Sequence, residues 1–275
     1  MAGSLGQGFG MQGWVWCDGR FCEESAGVPI EARGFTHGLG VFETMLAVDG
    51  HLDARDQHFK RLEASCGRLG LLLPEGLDSA IETLLKKKGR QRVRLQVSAG
   101  PGPLNRLGGG SEIVSLLISE AEAPPEAASA VWSPWPRNER SPLVGLKCVN
   151  YAENLLALDL ARQEGVTTAI FLNTRRELCE AATANLFLVH AGKIRTPALN
   201  SGCLPGVTRG RVFNVARMLG VEAEEAVLTR DDLEFADEIF LTSATQGVVP
   251  LTRLEGLKIE VGTVTKSLRD VFTGK

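Results

Sequence analysis

The chain has 275 residues, of which 44% are hydrophobic and 23% charged, with a formal net charge of −3. This is the balance of a globular protein with one large domain or two modest ones. The charge and the lack of a long Lys/Arg stripe argue against a nucleic-acid partner, and no run reaches the roughly 18 apolar residues of a membrane span.

Residues 1–12 read as a glycine-rich, flexible extension without the basic and apolar regions of a secretory signal. Trp14 to Cys17 reads as a strand, followed by the tight-turn dipeptide Asp18-Gly19. Val41 to Val48 is a second strand running into another such turn, Asp49-Gly50. Next comes an amphipathic helix. Phe59, Leu62, Cys66 and Leu69 form its apolar stripe, and His58, Arg61, Ser65 and Arg68 share the neighbouring one. A second helix spans Asp78 to Lys87, and the basic run Lys86-Lys87-Lys88 with Arg90 and Arg92 suits a solvated helix end. Val93 to Ser98 and Ile113 to Ile118 are strands around a Gly/Pro loop, Gly100 to Gly110. Neither this loop nor Gly6 to Gly10 has the strand-turn-helix context of a dinucleotide fingerprint.

The acidic, proline-paired stretch Ser119 to Glu126 reads as a linker. The boundaries that follow are a small α+β domain over 13–120, a linker over 121–130 and a larger α/β domain over 131–275. In the latter, Asn154 to Arg162, Gly206 to Leu219 and Val261 to Phe272 are helical, while Thr168 to Leu172, Leu186 to His190 and Glu238 to Thr242 are strands. Hairpins mixed with crossovers argue against a purely parallel wound sheet. The six cysteines are scattered with no C-x-x-C pair, which suits reduced thiols in the cytoplasm and no metal site.

Lys147 is the only lysine between Lys88 and Lys193, and it lies in the apolar run Leu143 to Val149. Burial disfavours an ammonium, so a lysine hidden there becomes a nucleophilic amine able to form an imine with a carbonyl compound. Taken alone, the run suits an exposed lysine at a strand end better; residues downstream change that ranking. Glu180 sits between the turn Asn173 to Arg176 and an apolar strand, where a lone glutamate is usually a solvated edge residue. Facing a heterocyclic nitrogen, its carboxylate would keep that nitrogen protonated.

These residues fall in ordered motifs. Arg33 to Thr44, His58-Phe59-Lys60-Arg61-Leu62, Lys147 to Tyr151, the E-x-x-x-x-N-x-F pattern from Glu180 to Phe187, and Leu204-Pro205-Gly206-Val207-Thr208-Arg209 follow one another along the chain. Together they resemble the class IV (fold type IV) pyridoxal-phosphate (PLP) enzymes, from about Gly13 to the C-terminal helix. That family holds branched-chain and D-amino-acid aminotransferases and 4-amino-4-deoxychorismate lyases. The resemblance implies an α/β protein of D-amino-acid-aminotransferase-like fold, with an α+β N-terminal domain and an α/β pseudo-barrel C-terminal domain. It implies a homodimer acting on a small amino substrate. PLP would be bonded by Lys147, which also moves the proton, with Glu180 on the ring nitrogen.

The phosphate is expected at Arg61, which lies off the apolar stripe with its guanidinium free to reach it, at the helix start Val207-Thr208, and at Ser243 and Ala244. Ala244 stands where many relatives carry threonine, so only its N–H would serve. Tyr151 either hydrogen-bonds the cofactor's phenolic oxygen or is a half-buried tyrosine on the following helix. Candidate substrate residues are Phe42, Arg94 and Arg106; Arg94 is either a carboxylate partner or a solvent-facing strand residue. The arginine–histidine trap of the D-amino-acid enzymes is replaced by Leu104 and Arg106. The short chain, Val41-Phe42-Glu43-Thr44, Ser243-Ala244 and Glu153 lean towards the lyase, with an aminotransferase of branched-chain or D-amino acids as the alternative.

Overall fold

The computed structural model describes residues 11–17, 19–23, 27–108 and 112–274. The extension expected before residue 11, and Asp18 of the first turn, lie outside them. The chain forms two compact units, 1–122 with 147–150, and 123–146 with 151–275.

The first unit is an antiparallel sheet with helices. Its elements are β1 (Gln12–Cys17), β2 (Arg20–Glu23), α1 (Arg33–Thr36), β3 (Gly40–Val48), β4 (His51–Leu52), α2 (Arg55–Arg68), α3 (Leu77–Leu84), β5 (Arg90–Ala99) and β6 (Glu112–Glu120), with strand order β2-β1-β6-β5-β3-β4. Asp49 and Gly50 take φ of +49° and +87°, so the two-residue turn matches the twist of the β3–β4 hairpin and pairs Val48 with His51. Along β5, Gln91, Val93, Leu95 and Val97 are buried, while Arg92, Arg94 and Gln96 point to the other face.

Helix α2 packs on β3. It buries Leu62 and Cys66 as its apolar spacing requires, but also His58 and Ser65 from the polar stripe, while Phe59 is only half-buried. The reason is Glu43, an inward-facing residue of β3 that is 1% exposed and calls for polar partners on the helix. The basic run does not end a helix. Helix α3 stops at Leu84, Lys86 N–H donates to Gln91 Oε1 at 2.7 Å, and Arg90 and Arg92 lie on β5.

The second unit holds β7 (Ala128–Trp132), α4 (Ala152–Gln163), β8 (Thr168–Leu172), β9 (Leu178–Ala181), β10 (Asn185–His190), β11 (Lys193–Pro197), α5 (Val207–Met218), β12 (Ala223–Ala226), α6 (Arg230–Glu234), β13 (Glu238–Ser243), β14 (Gly247–Leu254), β15 (Leu257–Lys258) and α7 (Thr263–Thr273). The strand order is β12-β11-β10-β13-β14-β7-β8-β9, with β15 beside β14. β7 pairs in parallel with β8 and β14, and β11 with β12, while the hairpins are antiparallel. Three residues join β9 to β10, and Ala181 N–H donates to Ala184 O at 2.8 Å, so the far edge of the sheet returns beside its middle and the sheet curls on itself. The linker expected over 121–130 is shorter than that, because Ala128–Ala130 already belong to β7 and pair with β14 and β8.

Both faces of this sheet are covered, which explains why Leu186 to Val189 is continuously apolar. Leu186 and Leu188 pack with Ile239, Leu241 and Leu251 on one side. Phe187 and Val189 pack with Phe240, Val212 and Ala216 of α5 and Leu268 of α7 on the other. Phe187 and Phe240 stack with centroids 4.8 Å apart. Each fully buried side chain of this size contributes about 2 kcal/mol of transfer free energy. Glu238, buried at the start of β13, accepts the N–H groups of Val264 and Thr265 at 3.2 and 2.8 Å and so caps α7.

Candidate active site

In the first unit, the segment that carries Lys147 runs along β3. Phe42 N–H donates to Lys147 O at 2.9 Å, Val149 N–H donates to Gly40 O at 3.0 Å, and Cys148 bridges antiparallel to Val41. Lys147 is half-buried, and its Nζ lies 4.7 Å from the centroid of Phe42. Arg94 lies on the same sheet face as Phe42, with Cζ 3.7 Å from the same ring and Nη2 donating to Gln96 Oε1 at 3.3 Å. One buried aromatic ring therefore has both the Lys147 side-chain nitrogen and the Arg94 guanidinium against it.

Arg61 sits differently from the expectation of a guanidinium awaiting an anion. Its Nε and Nη2 fork onto Glu43 at 2.7 and 2.6 Å, and its side chain is 13% exposed. His58 Nδ1 lies 2.7 Å from Glu43 Oε2. Burial alone would raise the Glu43 carboxyl; the hydrogen bonds from His58 and Arg61 outweigh it and hold the group below the usual carboxylate range. Arg106 is exposed, as is Leu104, and Arg106 contributes a backbone carbonyl to another arginine. That arginine, Arg33, is 3% exposed and gathers the loop by donating to Gly100 O, Pro103 O and Arg106 O.

The second unit carries the other predicted residues. Glu180 leaves β9 with Oε2 accepting Leu204 N–H at 2.9 Å, while Arg137 Nη2 lies 3.4 Å from Oε1. Arg137 stacks its Cζ 4.2 Å from the Phe171 ring and donates to Glu153 Oε2 at 2.9 Å. Tyr151 stands just before α4, with its hydroxyl 3.4 Å from Ala182 O.

Gly206 precedes α5 in extended backbone, and Val207 and Thr208 form the first turn. That turn has no side-chain cap and no acidic residue, a helix start whose N–H groups and positive dipole end would suit an anion. Asn185 supports it, because its Nδ2 donates to Leu204 O at 2.8 Å and its Oδ1 fills the place where a Cβ on residue 206 would stand. Ser243 ends β13, and Ala244 opens the turn into β14.

Sequence reasoning passed over five of these residues. Arg33, Glu43, His58 and Asn185 lie inside motifs already quoted, and their spacing was the available signal. Arg137 acts through tertiary contacts that no local pattern encodes. Among the described residues no cluster of His, Cys, Asp and Glu could hold a metal, and no helix is long and apolar enough to cross a membrane.

The family model described as amino-transferase class IV matches residues 40–254. The chain belongs to this family. A putative branched-chain-amino-acid aminotransferase of Methanocaldococcus jannaschii is 31% identical, over 94% of each chain. The crystal structure of 4-amino-4-deoxychorismate lyase from Pseudomonas aeruginosa superposes with a TM-score of 0.84 at 27% identity, covering 95% of this chain and 98% of that one. An aminotransferase from Brucella abortus bound to PLP gives a TM-score of 0.84 at 26% identity, over 96% and 98%. As a class IV family member the protein is an enzyme, and its mixed α/β architecture is that of these structures.

Proposed function

We propose that the protein is a PLP-dependent aminotransferase that takes a small amino acid by its carboxylate. The observation that carries this reading is an amine and a guanidinium at one ring, Lys147 Nζ at 4.7 Å and Arg94 Cζ at 3.7 Å from Phe42. An amine that handles the proton at the reacting carbon needs the substrate's α-carboxylate bound a short distance away. A guanidinium presents the planar fork that a carboxylate matches.

The residues fit the cofactor. A phosphate dianion suits the uncapped start of α5 at Val207 and Thr208, and the N–H groups of Ser243 and Ala244 stand at a strand end of the same unit. Glu180, fixed by Leu204 N–H, offers its carboxylate to a ring nitrogen. Arg61 serves as a phosphate partner only through what its fork on Glu43 leaves, so Glu43 and His58 set its direction. Bound PLP supplies the electron sink for charge at the carbon bearing the amine. Lys147 would hold the cofactor through its aldehyde, and its Nζ would take and return the proton at the reacting carbon. Phe42 lies against the amine, and Tyr151 would offer its hydroxyl to the cofactor's phenolic oxygen.

A second reading, pyruvate elimination from 4-amino-4-deoxychorismate to give 4-aminobenzoate for folate, is favoured by the likeness to the P. aeruginosa lyase structure. Two of the sequence cues for it have other employment, since Glu153 binds Arg137 and Glu43 binds His58 and Arg61. One titration separates the two. Adding single amino acids to the purified holoenzyme is expected to remove the cofactor's visible aldehyde-form band and raise the band of its amine form. If no amino acid does so and aminodeoxychorismate releases pyruvate, the lyase reading holds. The assembly proposed is a homodimer, which sedimentation would register.

A further inference from the structure

The spacing Glu180 to Asn185 has a use that neither residue reveals alone. Both side chains end on Leu204. Glu180 Oε2 accepts its N–H at 2.9 Å, and Asn185 Nδ2 donates to its C=O at 2.8 Å. The same carbonyl accepts Gly206 N–H at 2.8 Å, closing a three-residue turn around Pro205. Gly206 in turn packs so closely on the Asn185 amide that no side chain fits between them. Asn185 is 5% exposed and is fixed by its place at the head of β10, paired with Thr242.

We infer that Asn185 is a positioning residue: by clamping the Leu204 peptide opposite Glu180, it locks the carboxylate of Glu180 and the first turn of α5 into one rigid frame of fixed spacing. A ligand with a ring nitrogen at one end and a phosphate at the other is measured against that frame, a role that rests on the cofactor reading proposed above. Only an amide serves. It must donate to a carbonyl that already has one partner, and it must be flat enough to lie against Gly206. An aspartate of the same shape would set a carboxylate oxygen against the Leu204 carbonyl. The α5 turn would then keep its N–H groups but lose the support that aims them.

The test uses Asn185→Ala and Asn185→Asp, with Gly206→Ala as an approach from the other side, since its methyl must displace the same amide. The first measurement is amide hydrogen exchange on the cofactor-free chain. Exchange over residues 204–208 is expected to rise about tenfold while the remaining sheet holds its protection. The second is affinity for PLP against pyridoxal, which lacks the phosphate. The wild-type preference for PLP is expected to fall about tenfold in the variants, an effect that a uniform loss of stability would not produce. Folded variants with unchanged exchange at 204–208, or with an unchanged preference, overturn the inference. If the wild type binds neither compound, the cofactor reading falls and the role of the frame with it, while the exchange result still decides whether the clamp exists.

Discussion

At the scale of single residues, Lys147 and Arg94 carry the chemistry proposed. Lys147→Ala is expected to abolish the visible cofactor band and to lower turnover on the order of 10³-fold, read by absorbance and steady-state assay. Arg94→Ala removes a charged contact of about 2 kcal/mol, so the KM for amino acids should rise roughly 30-fold with a smaller change in kcat. Glu43 makes a different prediction. Its folded-state pKa is depressed, so its contribution to stability is in full force above the unfolded-state value and drains away as the pH falls through the folded one. Thermal unfolding followed from pH 7 to pH 3 should show a loss below about pH 4 that Glu43→Gln removes, at a cost of about 3 kcal/mol at neutral pH. In the sequence the run around Lys147 alone suits an exposed lysine, and only the ordered motifs around and after it single the residue out. The Glu43–His58–Arg61 group was not legible, because helical periodicity files His58 and Arg61 with the polar stripe and says nothing of a carboxylate waiting on a neighbouring strand.

At the scale of elements, apolar periodicity located five of the seven helices and seven of the fifteen strands among the described residues to within a few residues. Thr168–Leu172 stands as read, and the α5 and β13 readings differ by a residue or two at their ends. It failed where a tertiary partner decides, as at Lys86, whose N–H binds Gln91 beyond the end of its helix. Close approaches were also invisible from spacing. Gly34 in α1 leaves only 2.5 Å between a would-be Cβ and the Cβ of Ser98. Gly34→Ala should therefore destabilise the chain by about 2 kcal/mol or more, measured as a lower urea midpoint with unchanged slope. Glu238→Ala strips α7 of the acceptors for Val264 and Thr265, and a loss of about 1 kcal/mol with faster exchange at 263–267 is expected.

At the scale of the whole molecule, the ordered motifs implied the architecture, and the comparisons carry the family assignment over residues 40–254. The sequence reading put the exit from the first unit at residue 120, close to the observed 122, but did not reveal that the chain returns to it for 147–150. Val41 and Cys148 form a pairing far apart in sequence, and no local pattern encodes such a contact. That short return has a consequence for biosynthesis. The strand edge at Gly40 to Phe42 waits for partners that a ribosome delivers only after residue 149 has emerged. A nascent chain arrested near residue 122 would expose that edge, and a gene split there would separate the first sheet from the lysine that lies against it.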